Sequence, residues 1–171
     1  MTKARPLANF LRRLVYRTGF PLARAWWWLT RPRATGVAVA IKAQGRVLVV
    51  RQSFRKGLSL VGGGLHPGEE PEAGMVRELA EEVGLVLSPD RLRALPVLEL
   101  VHEWRRLRVH LFEAELLEQP ALRPDGAEIV AVSWHCPAEL RAEPGLHPVL
   151  RRWLDGCAEP ESTARDEAGR C

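Results

Sequence analysis

The sequence predicts an α/β protein with a mixed β-sheet and a charged helix packed beside it. Three observations carry this. Two β-branched runs, residues 35–42 (TGVAVAIK) and 46–52 (RVLVVRQ), flank the short turn Ala43-Gln44-Gly45 and read as a hairpin. A glycine-rich loop then leads into one acidic helix, residues 70–83, with Pro71 in its first turn and Gly84 just past its end. Further extended runs and two short helical segments complete the chain, so strands lie on both sides of the acidic helix.

Taken in order, residues 6–18 (PLANFLRRLVYRT) space Leu7, Phe10, Leu11, Leu14 and Val15 as an amphipathic helix. Gly19-Phe20-Pro21 should break it, and residues 22–30 (LARAWWWLT) read as a second helix ended by Arg31-Pro32. Trp26, Trp27 and Trp28 cannot share one helix face. Their packing on the domain or at a homodimer interface is the plainer reading, with contact to a membrane surface or nucleic acid as alternatives. After the first hairpin, Leu58 to Val61 is a short extended piece. Within the acidic helix, Gly74 costs about 1 kcal/mol relative to alanine. Residues 95–102 and 107–117 pair across Glu103-Trp104-Arg105-Arg106, and 120–127 is a loop. Residues 128–134 form a further strand, and 137–141 and 146–154 are helices. The polar, aperiodic end is expected to be a disordered tail. The resulting division is a basic, Trp-rich helical extension over 1–33, one domain over 34–155, and a tail over 156–171.

At 171 residues, 46% apolar and 27% charged, the chain suits one globular domain with appendages. Its charge is unevenly placed. Residues 1–68 hold thirteen basic and no acidic residues, whereas 69–171 hold twelve basic against twenty-one acidic, a balance of −9. A basic half attracts polyanions such as phosphates, and a divalent metal is one counter-charge for the acidic half. Cys136, Cys157 and Cys171 are scattered without C-x-x-C, which argues against a disulfide framework or zinc site and for a reducing compartment. No 18-residue apolar run or secretory leader is visible, so a cytoplasmic location is expected.

The chemistry concentrates in Gly62 to Leu85, GGGLHPGEEPEAGMVRELAEEVGL. Glu78, Glu81 and Glu82 stand at i, i+3 and i+4, so their carboxylates neighbour one another and repel. A cation among them reverses that sign, and carboxylate oxygens suit Mg²⁺ or Mn²⁺. Glu69 lies eight residues before Arg77, close enough for a loop carboxylate to grip the helix. Gly62, Gly63 and Gly64 let a ligand approach the main chain. Arg51, Arg55 and Lys56 precede the glycines, where phosphates could be held. A solvated helix face remains the plain alternative for the glutamates, and solvated side chains for the arginines.

Residues 63–85 match the pattern G-x5-E-x7-R-E-U-x-E-E-x-G-U, with U apolar, at Gly63, Glu69, Arg77, Glu78, Leu79, Glu81, Glu82, Gly84 and Leu85. Average residue usage puts a chance match at on the order of 10⁻⁷, so the motif is specific. The chain therefore resembles the Nudix family over about residues 34–155. That resemblance implies an α/β/α sandwich and Mg²⁺-dependent hydrolysis of a nucleoside diphosphate linked to another moiety X. It further implies Gly62, Glu78, Glu81 and Glu82 as metal-holding residues, Glu69 with Arg77 as a brace, and a general base among Glu81, Glu78 and Glu128. Substrate phosphates would meet Arg51, Arg55, Gly63 and Gly64. Val61 and His66 depart from the common loop L-P-G-G-x-x-E-x-G-E. A non-catalytic module for ligand sensing or partner binding is the competing reading, and intact glutamates weigh against it.

Overall fold

The computed structural model describes residues 4–156, and of the side chains before Thr18 only those of Arg12, Leu14 and Val15. The expectation of a disordered tail, from residue 157 on, lies outside the described residues. The chain runs α1 (Ala4–Thr30), β1 (Arg33–Ala43), β2 (Arg46–Gln52), α2 (Pro71–Val83), β3 (Arg93–Ala94), β4 (Leu98–His102), β5 (Arg105–Leu116), β6 (Ile129–His135), α3 (Pro137–Ala142) and α4 (Pro148–Gly156).

The strands form one mixed sheet in the order β3-β5-β1-β2-β6, with β4 also against β5. β1 and β5 are parallel over their whole lengths, from Arg33 beside Arg106 to Ala43 beside Leu116. The other pairings are antiparallel. Alternation along β1 decides which helix covers which face. Val37, Val39 and Ile41 point to α2 and pack with Met75, Leu79 and Val83. Ala38 and Ala40 point the other way, to Leu140 of α3 and Val149, Leu150, Trp153 and Leu154 of α4. Two apolar cores thus sandwich the sheet, giving the α/β/α layering. On the α4 side, the Trp153 indole donates to Glu113 Oε1 of β5 at 2.7 Å.

β1 and β2 pair directly only near their turn, at Lys42–Val47 and Ala43–Arg46. Farther along they splay, and the segment 58–65 fills the gap. Ser59 exchanges both backbone bonds with Val50 of β2, at 3.0 and 2.8 Å. On its other side, Val39 N–H donates to Val61 O at 3.0 Å, Val37 N–H to Gly63 O at 2.9 Å, and Leu65 N–H to Thr35 O at 3.2 Å. The glycine-rich stretch is therefore held to both strands by backbone bonds.

Four local expectations need correction. First, α1 does not break at Gly19-Phe20-Pro21 but continues through Pro21. Proline removes one amide donor and crowds the carbonyl four residues back, which usually kinks a helix. Here aromatic contacts flank the proline. Phe20 and Trp27 meet edge to face at 5.8 Å, and Phe20 lies 4.9 Å from Phe54. Second, the strand expected over 95–102 begins only at Leu98 as β4, with the two-residue β3 before it and Pro96, which has no amide to give to a ladder, between them. Third, the following turn is only two residues, Glu103 and Trp104, both at positive φ (49° and 63°), the twist that tight hairpins require. Fourth, Cys136 is buried and disulfide-bonded.

Candidate active site

α2 enters the site with Glu70 as its N-cap and Pro71 in its first turn, and ends at Gly84, whose φ of 68° is the left-handed cap geometry that favours glycine. Its apolar stripe, Met75, Leu79 and Val83, is fully buried on the sheet. That anchoring turns Glu78 and Glu82, one helical turn apart, inward with it, and both are buried. Glu81 instead stays at the rim, its side chain 64% exposed, 3.3 Å from Arg77 Nη1.

Arg77 organises the helix and loop together. Its Nε donates to Glu69 Oε1 at 2.8 Å and its Nη2 to Glu69 Oε2 at 3.0 Å, a two-pronged grip. Nη2 also reaches Gly64 O at 3.1 Å, and Nη1 reaches Glu78 Oε1 at 2.8 Å. Glu69 Oε2 further accepts the His66 backbone N–H at 2.9 Å. These bonds, the Arg77 pair foremost, hold the Glu69 carboxyl down to about 2 and push the Arg77 guanidinium up. His66 itself is exposed.

The loop lies so close to α2 that side chains would not fit. A Cβ on Gly63 would meet the Glu78 carboxylate, at 2.6 Å from its Oε2 and closer still to the rest of the group. A Cβ on Gly74 would run into Leu65 and come within 3.1 Å of Glu69 Oε2. The helix-weakening glycine of α2 thus marks the place where the braced loop rests on the helix.

Across the loop stands the segment before β6. Asp125 Oδ1 accepts the backbone N–H groups of Ala127, Glu128 and Ile129 at 3.1, 3.1 and 2.8 Å, tying the turn that carries Glu128. The Glu128 carbonyl accepts from Ser53 N–H at 2.8 Å. Burial pushes the Glu82 carboxyl up to about 9, helped by the negative charges of Glu128, Glu78 and Asp125 and opposed by the Gly62 N–H, 3.3 Å from Oε2. Glu128 is raised as well, by burial first and then by Glu78 and Asp125. Crowded carboxylates that must take up protons to coexist are a set that a cation would relieve.

Glu128 and Gly62, Gly63 and Gly64 also line a cavity of about 510 Å³ that extends under α1. Its far wall is aromatic, from Phe20 and Trp27 of α1 and Phe54. Arg55 and Arg105 enter it, as does His147. Burial, with Arg55 next, drives the His147 imidazole down to about 3, so it stands there neutral. Of the sequence-derived phosphate candidates, Arg55, Gly63 and Gly64 face this cavity. Arg51 lies exposed on β2 and is not among the lining residues. Sequence reasoning passed over Asp125 and Arg105. Asp125-Gly126 was a legible turn signal. Nothing local marked Arg105, which reaches the cavity only through the β1–β5 pairing and the placement of α1.

Among the described residues, no three His, Cys, Asp or Glu side chains already converge as a finished ligand set. The donors nonetheless fit a hard divalent cation. They are carboxylate oxygens, they are crowded, and Glu82 is buried with its negative form disfavoured until positive charge arrives.

A NUDIX domain model matches residues 30–157. The chain belongs to the Nudix hydrolase family. An uncharacterized Nudix hydrolase of Rhodococcus erythropolis, orf19, is 30% identical over 148 residues, covering 74% of this chain and 77% of that protein. An RNA pyrophosphohydrolase of Pectobacterium atrosepticum is 37% identical over 71 residues, which are 42% of this chain and only 37% of that protein. The MutT Nudix hydrolase of Burkholderia pseudomallei superposes with a TM-score of 0.64 at 21% identity, over 72% of this chain and 96% of that one. The Nudix domain of Shewanella oneidensis NrtR, crystallised with ADP ribose, gives 0.64 at 19% identity, over 73% and 86%. At such identities these structures speak for the Nudix fold. α1 lies almost wholly outside the matched domain.

Proposed function

We propose that this Nudix hydrolase is a divalent-metal-dependent pyrophosphohydrolase that cleaves the diphosphate linkage of a nucleoside diphosphate joined to another moiety X. One observation carries the reading. Buried Glu78 and Glu82 and half-buried Glu128 gather around the backbone of Gly62 to Gly64, at the mouth of a cavity large enough for part of a nucleotide. That pairs carboxylates for a cation with glycines that let a diphosphate come close.

Glu78, Glu81 and Glu82, with the Gly62 carbonyl, would hold Mg²⁺, or Mn²⁺ in its place. The ion supplies neutralisation of the diphosphate charge and activation of water. The protein's own residues do the rest. Glu81, Glu78 and Glu128 are the candidates to take the proton from the attacking water. Arg77 keeps Glu78 and Glu81 in place while binding Glu69, so the loop cannot lift from the helix. Arg55 offers positive charge inside the cavity, and Arg51 extends it along β2. The RNA pyrophosphohydrolase relative and the ADP-ribose-bound neighbour both concern phosphoanhydride-containing nucleotides, which supports this substrate class. A homodimer through α1, contact of α1 with a membrane surface or nucleic acid, and a cytoplasmic location remain proposals alongside it. So does the division into extension, domain and tail. No described helix is long and apolar enough to cross a membrane.

The test is mononucleotide release from a panel of nucleoside diphosphate derivatives with Mg²⁺, run beside Glu81→Gln. Turnover that needs the metal and falls in the variant is expected. No turnover across the panel, or equal turnover by the variant, returns the protein to the ligand-sensing reading.

A further inference from the structure

The cavity under α1 holds two buried arginines whose Nε donors its walls leave unpartnered. Arg55 and Arg105 are largely buried, with side chains 19% and 17% exposed, and Arg24 stands nearby. Among the described residues the carboxylate within 4 Å of these three guanidiniums is Glu103, at 2.7 Å from Arg55, 3.8 Å from Arg105 and 3.9 Å from Arg24. Arg24 lies outside the cavity lining, and Glu128, within it, acts on Arg55 from beyond 4 Å, so neither buried guanidinium pairs closely with a carboxylate of the lining. His102 and His147, stacked edge to face at 4.9 Å, add no negative charge to the balance. The Nε atoms of Arg55 and Arg105 are both buried without a hydrogen-bond partner. Burying a charged donor unsatisfied is costly, and such groups normally find an acceptor.

The other walls are aromatic. The Arg105 guanidinium lies 3.8 Å from the Trp27 ring centre, and Arg55 lies 5.0 Å from Phe20 and 5.5 Å from Phe54. Flat guanidiniums on flat rings leave their edges for a planar or anionic guest. Phe20 and Trp27 come from α1, so the N-terminal helix builds the specificity wall of the cavity.

We propose that this cavity is the subsite for X, and that X combines an apolar or aromatic body with an anionic group, a phosphate or carboxylate, received by Arg55 and Arg105. This rests on the glycine–glutamate cluster being the diphosphate site. The body packs against Phe20 and Trp27, and the anion accepts from the unpartnered Nε donors of the two arginines. Substrates whose X is uncharged leave those donors without a charged acceptor and bind more weakly.

The test uses the full chain and paired probes that differ by one anionic group on X, nicotinic acid adenine dinucleotide against NAD⁺ and ADP-ribose 1″-phosphate against ADP-ribose. Isothermal titration without divalent metal reads binding apart from chemistry. At least one member with the added anion should bind about tenfold more tightly than its partner, as an added charge-assisted contact would give. The ratio should collapse towards one in Arg105→Gln and in Arg55→Gln, and Arg105→Lys, which keeps the charge, should retain part of it. A far-ultraviolet melt of each variant shows that the fold is kept. Equal affinities within both pairs, no binding by any of the four, or a ratio that survives both Gln variants overturns the proposal. The hydrolysis panel fails separately. Discrimination without turnover sinks the hydrolase reading alone, and turnover without discrimination sinks this one alone.

Discussion

Arg77 grips Glu69 with two nitrogens on two oxygens, at 2.8 and 3.0 Å, across the gap between helix and loop. The same guanidinium reaches Glu78, so one side chain couples loop position to the carboxylate cluster. Glu69→Gln keeps the shape but removes the charge. It should lower turnover at least about tenfold while the fold survives, since charge-assisted pairs are roughly twice as strong as neutral ones. Assay of mononucleotide release beside a thermal melt separates the two effects.

The brace also sets an acid-side dependence. Because Glu69 falls from 4.5 to about 2 in the folded protein, chiefly through the Arg77 bonds, its contribution is present above 4.5. It is lost as the pH falls through about 2. Acid unfolding followed by tryptophan fluorescence should therefore be shallower across that window in Glu69→Gln than in the wild type. Superimposable curves would show that the pair adds nothing to stability.

Glu82 works in the opposite sense. Its folded value, raised from 4.5 to about 9 by burial first and by its carboxylate neighbours, means the folded form holds a proton that the unfolded form gives up. Stability from this group is complete below 4.5 and declines as the pH rises toward 9. Metal-free protein should lose melting temperature over that range, and Glu82→Gln should flatten the decline. Mg²⁺ should raise the melting temperature more at the alkaline end, where a cation no longer displaces a proton. A Mg²⁺ effect independent of pH would contradict this account.

Gly63 has no room for a methyl group beside the Glu78 carboxylate. Gly63→Ala should push that carboxylate aside and cut turnover by about a hundredfold, the scale of a misplaced catalytic group. Gly64→Ala meets nothing within 4 Å and serves as the neighbouring control. Equal activities for the two variants would remove Glu78 from the proposed chemistry.

The Trp153–Glu113 bond holds α4 to β5 well away from Gly62 to Leu85. Trp153→Phe leaves a buried carboxylate oxygen short of a donor and should cost about 1–3 kcal/mol of stability. Denaturant unfolding measures that loss, and turnover below the melting range should be unchanged.

Most of this architecture was legible because the chemistry depends on short spacing. Glu69, Arg77, Glu78 and Glu82 lie within 14 residues, so helical period and one loop nearly determine their meeting. The β-branched runs over 35–42 and 46–52 were legible as strands around a tight turn. What could not be read depends on distant contacts. Phe20, beside the Pro21 that α1 runs through, packs on Phe54, a contact between residues far apart in sequence that local propensity does not show. Arg105 joins Arg55 only because β5 folds back beside β1, some seventy residues away in sequence. Gly74 looked like a weakness in a helix until the loop lying on it was seen.

The Phe20 and Trp27 wall has a consequence for how such an enzyme can change. On the proposed assignment, the carboxylate cluster and the aromatic wall sit on different stretches of chain, and Phe20 and Trp27 of that wall come from α1. New specificities can therefore arise by altering α1, with the carboxylate machinery left as it stands. A chimera that carries a different N-terminal helix on residues 33–156 would be an economical route to redirecting the substrate.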